Sequence, residues 1–210
     1  MFVQCMAGAP SQWILSSPKD GTVDEVFSVG IELVDKFGNR CVQSGNQSII
    51  VSATLLGQSK EISVDIQTGL GVAEFTFTIP GVYLYEVAGN SPLAHAAVTN
   101  DVSSGATTRY VIQDPLDGTV DRPVEVTIVA QDQFHNINTK ESRAITLETT
   151  GNATGGGIVN IVNGEGSAFV SSHVPETITL SLVDSANTGV NVLSKEVVMF
   201  GPGESQCSLV

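Results

Sequence analysis

"VDKFGN" at residues 34–39 and "AQDQFHN" at residues 130–136 are one turn written twice. Each follows a run of alternating apolar residues and sets an Asp, a Phe two positions on and an Asn two positions further. The sequence around them repeats as well. "SSPKDGTVDEVFSVGIELVDKFGN" (16–39) lies over "QDPLDGTVDRPVEVTIVAQDQFHN" (113–136) at an offset of 97. "TGLGVAEFTFTIPGVYLYEVA" (68–88) then matches "NGEGSAFVSSHVPETITLSLV" (163–183) at an offset of 95. Self-similarity at a fixed period marks a modular array. The 210 residues therefore hold two copies of one module.

Within each copy the apolar period is two, the signature of strands with one dry and one wet face. Phe27, Val29, Ile31 and Leu33 alternate with Ser28, Gly30 and Glu32, and Val124, Val126, Ile128 and Ala130 alternate in the second copy. Ala73, Phe75, Phe77 and Ile79 form another dry face, as do Tyr83, Tyr85 and Val87, matched by Ile178, Leu180 and Leu182. No stretch has a helical period. Strands are expected at about 11–16, 26–35, 48–55, 60–66, 72–79, 82–88 and 95–102. Seven short strands in about 100 residues indicate an immunoglobulin-like sandwich. The fold expected is all-β: two tandem immunoglobulin-like β-sandwiches, 9–103 and 104–200. Residues 1–8 read as the tail of a preceding repeat or a linker. Residues 201–210 read as the start of a third repeat, because "ESQCSLV" sets Cys207 in register with Trp13 and Tyr110. A short stiff linker is expected within about 89–107.

The turn "DxFGN" and the segment "TGLGVAEFTFTIPGVYLYEVAGN" (68–90) resemble filamin-type immunoglobulin repeats and the bacterial immunoglobulin-like modules of invasin and intimin adhesins. The second copy departs from that pattern, with His135 in place of the turn glycine and Glu176 in place of the glycine of "PG". The resemblance implies a structural or adhesive module and carries over no partner-binding residue. Read from the residues themselves, the turn Asp and Asn tolerate left-handed backbone and bond to nearby amides. Phe37 and Phe134 are expected to plug the end of each sandwich.

Composition limits the function. Nine basic against 22 acidic residues give a net charge of −13. The acidity is spread along the chain, which argues against nucleic acid and anionic lipid as partners, since both are held largely by Lys and Arg. No apolar run approaches the ~20 residues of a membrane helix, so no membrane insertion is expected in this stretch. The start "MFVQCMAGAP" has no charged n-region followed by a long apolar stretch. No GxSxG elbow, phosphate loop or CxxC occurs, and "TGGGIVN" (154–160) reads as a flexible strand connection. The chain is therefore expected not to be an enzyme and to need no cofactor.

Four further expectations concern particular residues. If modules stack end to end, Asp20 and Asp24 of the first approach Asp132 and Asn136 of the second. Such oxygen ligands suit calcium. Cys5 and Cys41 lie at one end of the first module and form a candidate disulfide. Asn46-Gln-Ser and Asn152-Ala-Thr are glycosylation sequons in connections between strands. Partners expected are neighbouring repeats of the same chain, and other protein subunits or a surface receptor. The role expected is a non-catalytic spacer of a long extracellular or cell-surface filament protein. The alternative is a filamin-like intracellular scaffold of the cytoskeleton or cilium. A carbohydrate-binding module would need a surface row of aromatic rings.

Overall fold

The computed structural model describes residues 7–89 and 91–203. The chain forms two compact units that divide between Ser103 and Ser104. Among the described residues all regular structure is β, as the period of two requires.

The first unit comprises β1 (Pro10–Ser16), β2 (Gly21–Thr22), β3 (Val26–Asp35), β4 (Gln47–Leu55), β5 (Gln58–Ile66), β6 (Leu70–Thr76), β7 (Gly81–Ala88), β8 (Ala94–His95) and β9 (Val98–Ser103). Two of these, β2 and β8, are two-residue strands, which leaves the expected seven. They build a four-stranded sheet, β6-β3-β1-β8, and a five-stranded sheet, β2-β9-β7-β4-β5. The second unit comprises β10 (Arg109–Ile112), β11 (Gly118–Thr119), β12 (Val124–Gln131), β13 (Ala144–Thr149), β14 (Thr154–Gly155), β15 (Gly157–Asn160), β16 (Glu165–Ser171), β17 (Glu176–Val183) and β18 (Lys195–Gly201). Its sheets run β10-β12-β16-β14 and β11-β18-β17-β13-β15. β1, β2, β3, β4, β5, β6, β7 and β9 correspond in order to β10, β11, β12, β13, β15, β16, β17 and β18.

Register repeats with the same offsets. Trp13 faces Leu33 where Tyr110 faces Ala130, and Phe27 faces Phe75 where Val124 faces Val170. Because side chains alternate across a strand, equal register puts equivalent residues on the dry faces. In the first core Val29, Leu33, Ala73, Phe75 and Tyr85 are fully buried. In the second, Val126, Ile128, Ile178, Leu180 and Val198 are. Each large apolar side chain so buried contributes about 1.5–3 kcal/mol.

Three expectations change. Ile79 is 57% exposed, because β6 ends at Thr76 and the chain turns before reaching it. The short stiff linker expected within 89–107 is narrower than that range, since β9 occupies Val98–Ser103 and Ser104 and Gly105 bond within the second unit. Gly155, Gly156 and Gly157 form a specific crossing in place of a flexible connection. All three have positive φ, and they take the chain from one sheet to the other.

Candidate functional site

The repeated turn is a polar feature shared by both units, and its centre is the aspartate. In the first unit Asp35 Oδ1 accepts the amides of Phe37 at 2.8 Å and Asn39 at 2.9 Å. The Asn39 side-chain amide reaches both carboxylate oxygens. Oδ2 accepts the amide of Gly8 at 2.7 Å, from the segment leading into β1. The second unit repeats each bond. Asp132 Oδ1 accepts Phe134 N at 2.8 Å and Asn136 N at 3.0 Å, and Oδ2 accepts Gly105 N at 2.9 Å. The Asn136 side-chain amide donates as well. Gly8 and Gly105 are themselves 97 positions apart. The turn is thus a clasp that folds its own loop and fastens the incoming chain.

Burial makes the clasp count. Asp35 is 1% and Asp132 0% exposed, so each charge is stabilised by protein donors alone. The Gly8 amide, followed by those around Asn39 and Phe37, holds the Asp35 carboxyl far below the usual carboxylate range despite the opposing effect of burial. For Asp132 burial acts against the charge, yet the Asn136 side chain and the amides of Gly105, Asn136 and Phe134 outweigh it, and the pKa is lowered.

Phe37 does not plug the sandwich. Phe37 is 75% exposed, with Lys36 Nζ 4.8 Å from its ring centre, and Phe134 is half-buried. In the first unit the carboxylate, not the ring, meets the incoming chain. His135 stands at φ +72 where the first copy has Gly38 at φ +83, so the second turn keeps its left-handed backbone without glycine.

The second unit adds a network on the same leader. Asn138 Nδ2 donates to Thr107 Oγ1 at 3.0 Å, and Ser104 Oγ donates to Asn138 Oδ1 at 3.5 Å. Arg143 grips Glu141 through Nε at 2.7 Å and Nη2 at 2.6 Å. That pairing holds the Glu141 carboxyl down at about 2. At the other side of the handover, Val23 N donates to Ser103 O at 2.9 Å. The chain passes from one unit's bonding to the other's across the Ser103–Ser104 peptide.

The remaining sequence candidates fall as follows. Asp20 Oδ1 accepts Asp101 N at 2.8 Å, and its counterpart Asp117 accepts Met199 N at 2.8 Å. Asp24 and Asp121 sit at φ +71 and +62 and donate their amides to Phe77 O and Ser172 O. These aspartates flank β2 and β11 in the two copies. Among the described residues no three of His, Cys, Asp and Glu gather closely enough to hold a metal ion. Cys41 is a buried thiol with Sγ 3.6 Å from the Gly8 carbonyl oxygen. Burial, helped by the charge on Asp35, pushes its pKa up. Cys5 and Cys207 lie outside the described residues. Asn46 and Asn152 are both exposed, and the Asn152 side chain donates to Glu176.

Trp13, Tyr83, Tyr85 and Tyr110 are all buried, so they form no surface row of rings. Trp13 Nε1 donates to Ser91 Oγ at 3.1 Å inside the first unit.

No protein-family model matches the chain, and no curated protein sequence matches it. Solved structures do resemble it. The adhesin FdeC of Escherichia coli is 16% identical, with 95% of this chain covering 67% of that one at a TM-score of 0.43. InvD of Yersinia pseudotuberculosis is 20% identical, with 95% of this chain covering 59% of that one at 0.45. A β-glycosidase from Bacteroides vulgatus is 10% identical, with 90% of this chain covering 25% of that one at 0.43. The chain spans from a quarter to two thirds of these proteins. Each unit of this chain is a two-sheet β-sandwich, and bacterial adhesins are among the solved structures that it resembles.

Proposed function

We propose that the chain is a pair of non-catalytic spacer modules from a longer repetitive protein displayed at the cell surface. The observation that supports this reading best is the doubled clasp. Each module fastens its own leader through the same aspartate, so the fastening is part of the repeated unit itself, as suits a module used many times in one array. The acidic, Ser- and Thr-bearing wet faces suit exposure to solvent, and the neighbours of each module are the adjoining repeats. A receptor or further subunits would then be met elsewhere along the array or at exposed strand edges.

Antibody labelling of intact cells that carry the natural full-length protein tests this. Labelling without permeabilisation supports the surface role. Labelling only after permeabilisation overturns it in favour of the filamin-like intracellular scaffold. Mass spectrometry of the same protein reads Asn46, Asn152 and the Cys5–Cys41 pair together. The proposal includes calcium at Asp20, Asp24, Asp132 and Asn136, where Asp132 would release amide donors to take the cation. A rise in melting temperature with millimolar calcium supports it, and no response removes it.

A further inference from the structure

In the four-stranded sheets β6 is the edge strand of the first module, whereas its equivalent in the second, β16, is flanked on that side by β14. The two edges are finished differently. In the second module Thr154–Gly155 lies antiparallel to β16, opposite Ser171 and Val170, and Gly156 N donates to Phe169 O at 3.1 Å. The chain then crosses to the other sheet as β15. A Cβ at Gly155 would stand 2.1 Å from the Phe169 carbonyl oxygen, so glycine permits the close approach. In the first module β4 turns at Leu56–Gly57 straight into β5, which stays on the five-stranded sheet along its whole length. Among the described residues no strand pairs with the outer edge of β6. One side chain stands there instead: Lys60 Nζ donates to Thr76 O at 3.1 Å. Thr76 is the equivalent of Ser171.

The free row can be read residue by residue. Gly69 O and Phe77 O accept from Leu33 N and Asp24 N, toward β3. By alternation Val72, Glu74 and Thr76 turn their main-chain groups outward, and all three residues are exposed. Such a row is a template for another strand, and a lysine is one of the means by which proteins block it.

We propose that the outer edge of β6 is a strand-pairing seam for a second copy of this chain, held shut in the single chain by Lys60. The second module shows that this edge accepts an extended antiparallel segment of the same chain. β6 is also complementary to itself. Antiparallel about Ala73, Val72 faces Glu74 of the second copy, so the carboxylates are not opposed. The two-fold contact uses the same edge on both chains and closes after two copies. The seam deepens the assembly part of the spacer reading, and its failure would leave the surface test on intact cells untouched.

Sedimentation of the intact chain across a concentration series tests the seam. Lys60→Ala should tighten self-association by about tenfold or more, with the Val72 and Glu74 amides gaining protection from hydrogen exchange as dimer forms. Adding Glu74→Pro removes an edge-facing N–H and should reverse the gain. Adding Val72→Asp leaves the backbone intact, opposes two carboxylates and should reverse it too; melting curves confirm that each variant is folded. A Lys60→Ala chain that stays monomeric overturns the proposal. Association that survives Val72→Asp, or that leaves both amides unprotected, overturns it as well.

Discussion

Replacing Asp132 with Asn keeps the size of the side chain and removes its charge and one acceptor oxygen. Four donors now converge on that carboxylate: the amides of Gly105, Phe134 and Asn136, and the Asn136 side chain. Hydrogen bonds to a charged acceptor contribute about 1.5–3 kcal/mol each, and a buried donor left unmade costs about as much. The carbonyl oxygen of asparagine retains part of the set, while its NH₂ faces N–H groups that cannot accept. The net loss for Asp132→Asn is therefore about 3 kcal/mol. For a domain of this size that lowers the melting transition by roughly 12–24 °C. Calorimetry of the intact chain measures it, with the first module as internal reference. Hydrogen exchange adds the local signature: the Gly105, Phe134 and Asn136 amides should exchange faster. A loss below about 1 kcal/mol, or a Gly105 amide exchanging at its original rate, would refute the clasp.

Other outcomes follow from neighbouring features. Tyr85 donates to Asn100 Oδ1 at 2.8 Å, and Asn100 Nδ2 donates to Lys19 O at 3.1 Å, inside the first core. Leu180 and Val198 hold the corresponding places in the second module. Tyr85→Phe and Asn100→Val should each cost about 1–3 kcal/mol, and a double-mutant cycle should show them coupled by about 0.5 kcal/mol or more. His135→Gly relieves a left-handed residue at φ +72 and should raise the stability of the second module by about 0.5–1 kcal/mol, read from chemical denaturation. The Glu141 carboxyl titrates at about 2 when folded, against an ordinary 4.5. Its contribution is complete above that ordinary value and is lost as pH falls toward 2. Acid titration of the wild type should show this loss, and Glu141→Gln should flatten it.

The sandwiches were legible because alternation is a one-dimensional signal. The dry faces through Val29, Ile31 and Leu33 and through Ile178 and Leu180 follow directly from a period of two. The clasp was half legible. Asp35, Asn39, Asp132 and Asn136 were marked by repetition, but the third element was not, because Gly8 and Gly105 lie 27 residues upstream of their aspartates. The signal that would have found them is the pair "GA" at 8–9 and 105–106, at the same offset of 97. Phe37 departs from expectation because an aromatic ring usually seeks burial, whereas here the carboxylate meets the incoming backbone and the ring is left outside. The Arg143–Glu141 pair could not be foreseen, since two residues apart in sequence says nothing of burial. The finish of the β6 edge was equally invisible. It depends on whether a connection crosses between sheets, which the three glycines at 155–157 permit and do not announce.

Two consecutive stretches of the chain fold as separate units with the same strand register. Cross-strand nuclear Overhauser contacts on the intact chain test this most directly. They should pair Trp13 with Leu33 and Phe27 with Phe75, and in parallel Tyr110 with Ala130 and Val124 with Val170. Pairing displaced by a residue in one unit, or contacts joining β3 to β12 in a shared sheet, would contradict it.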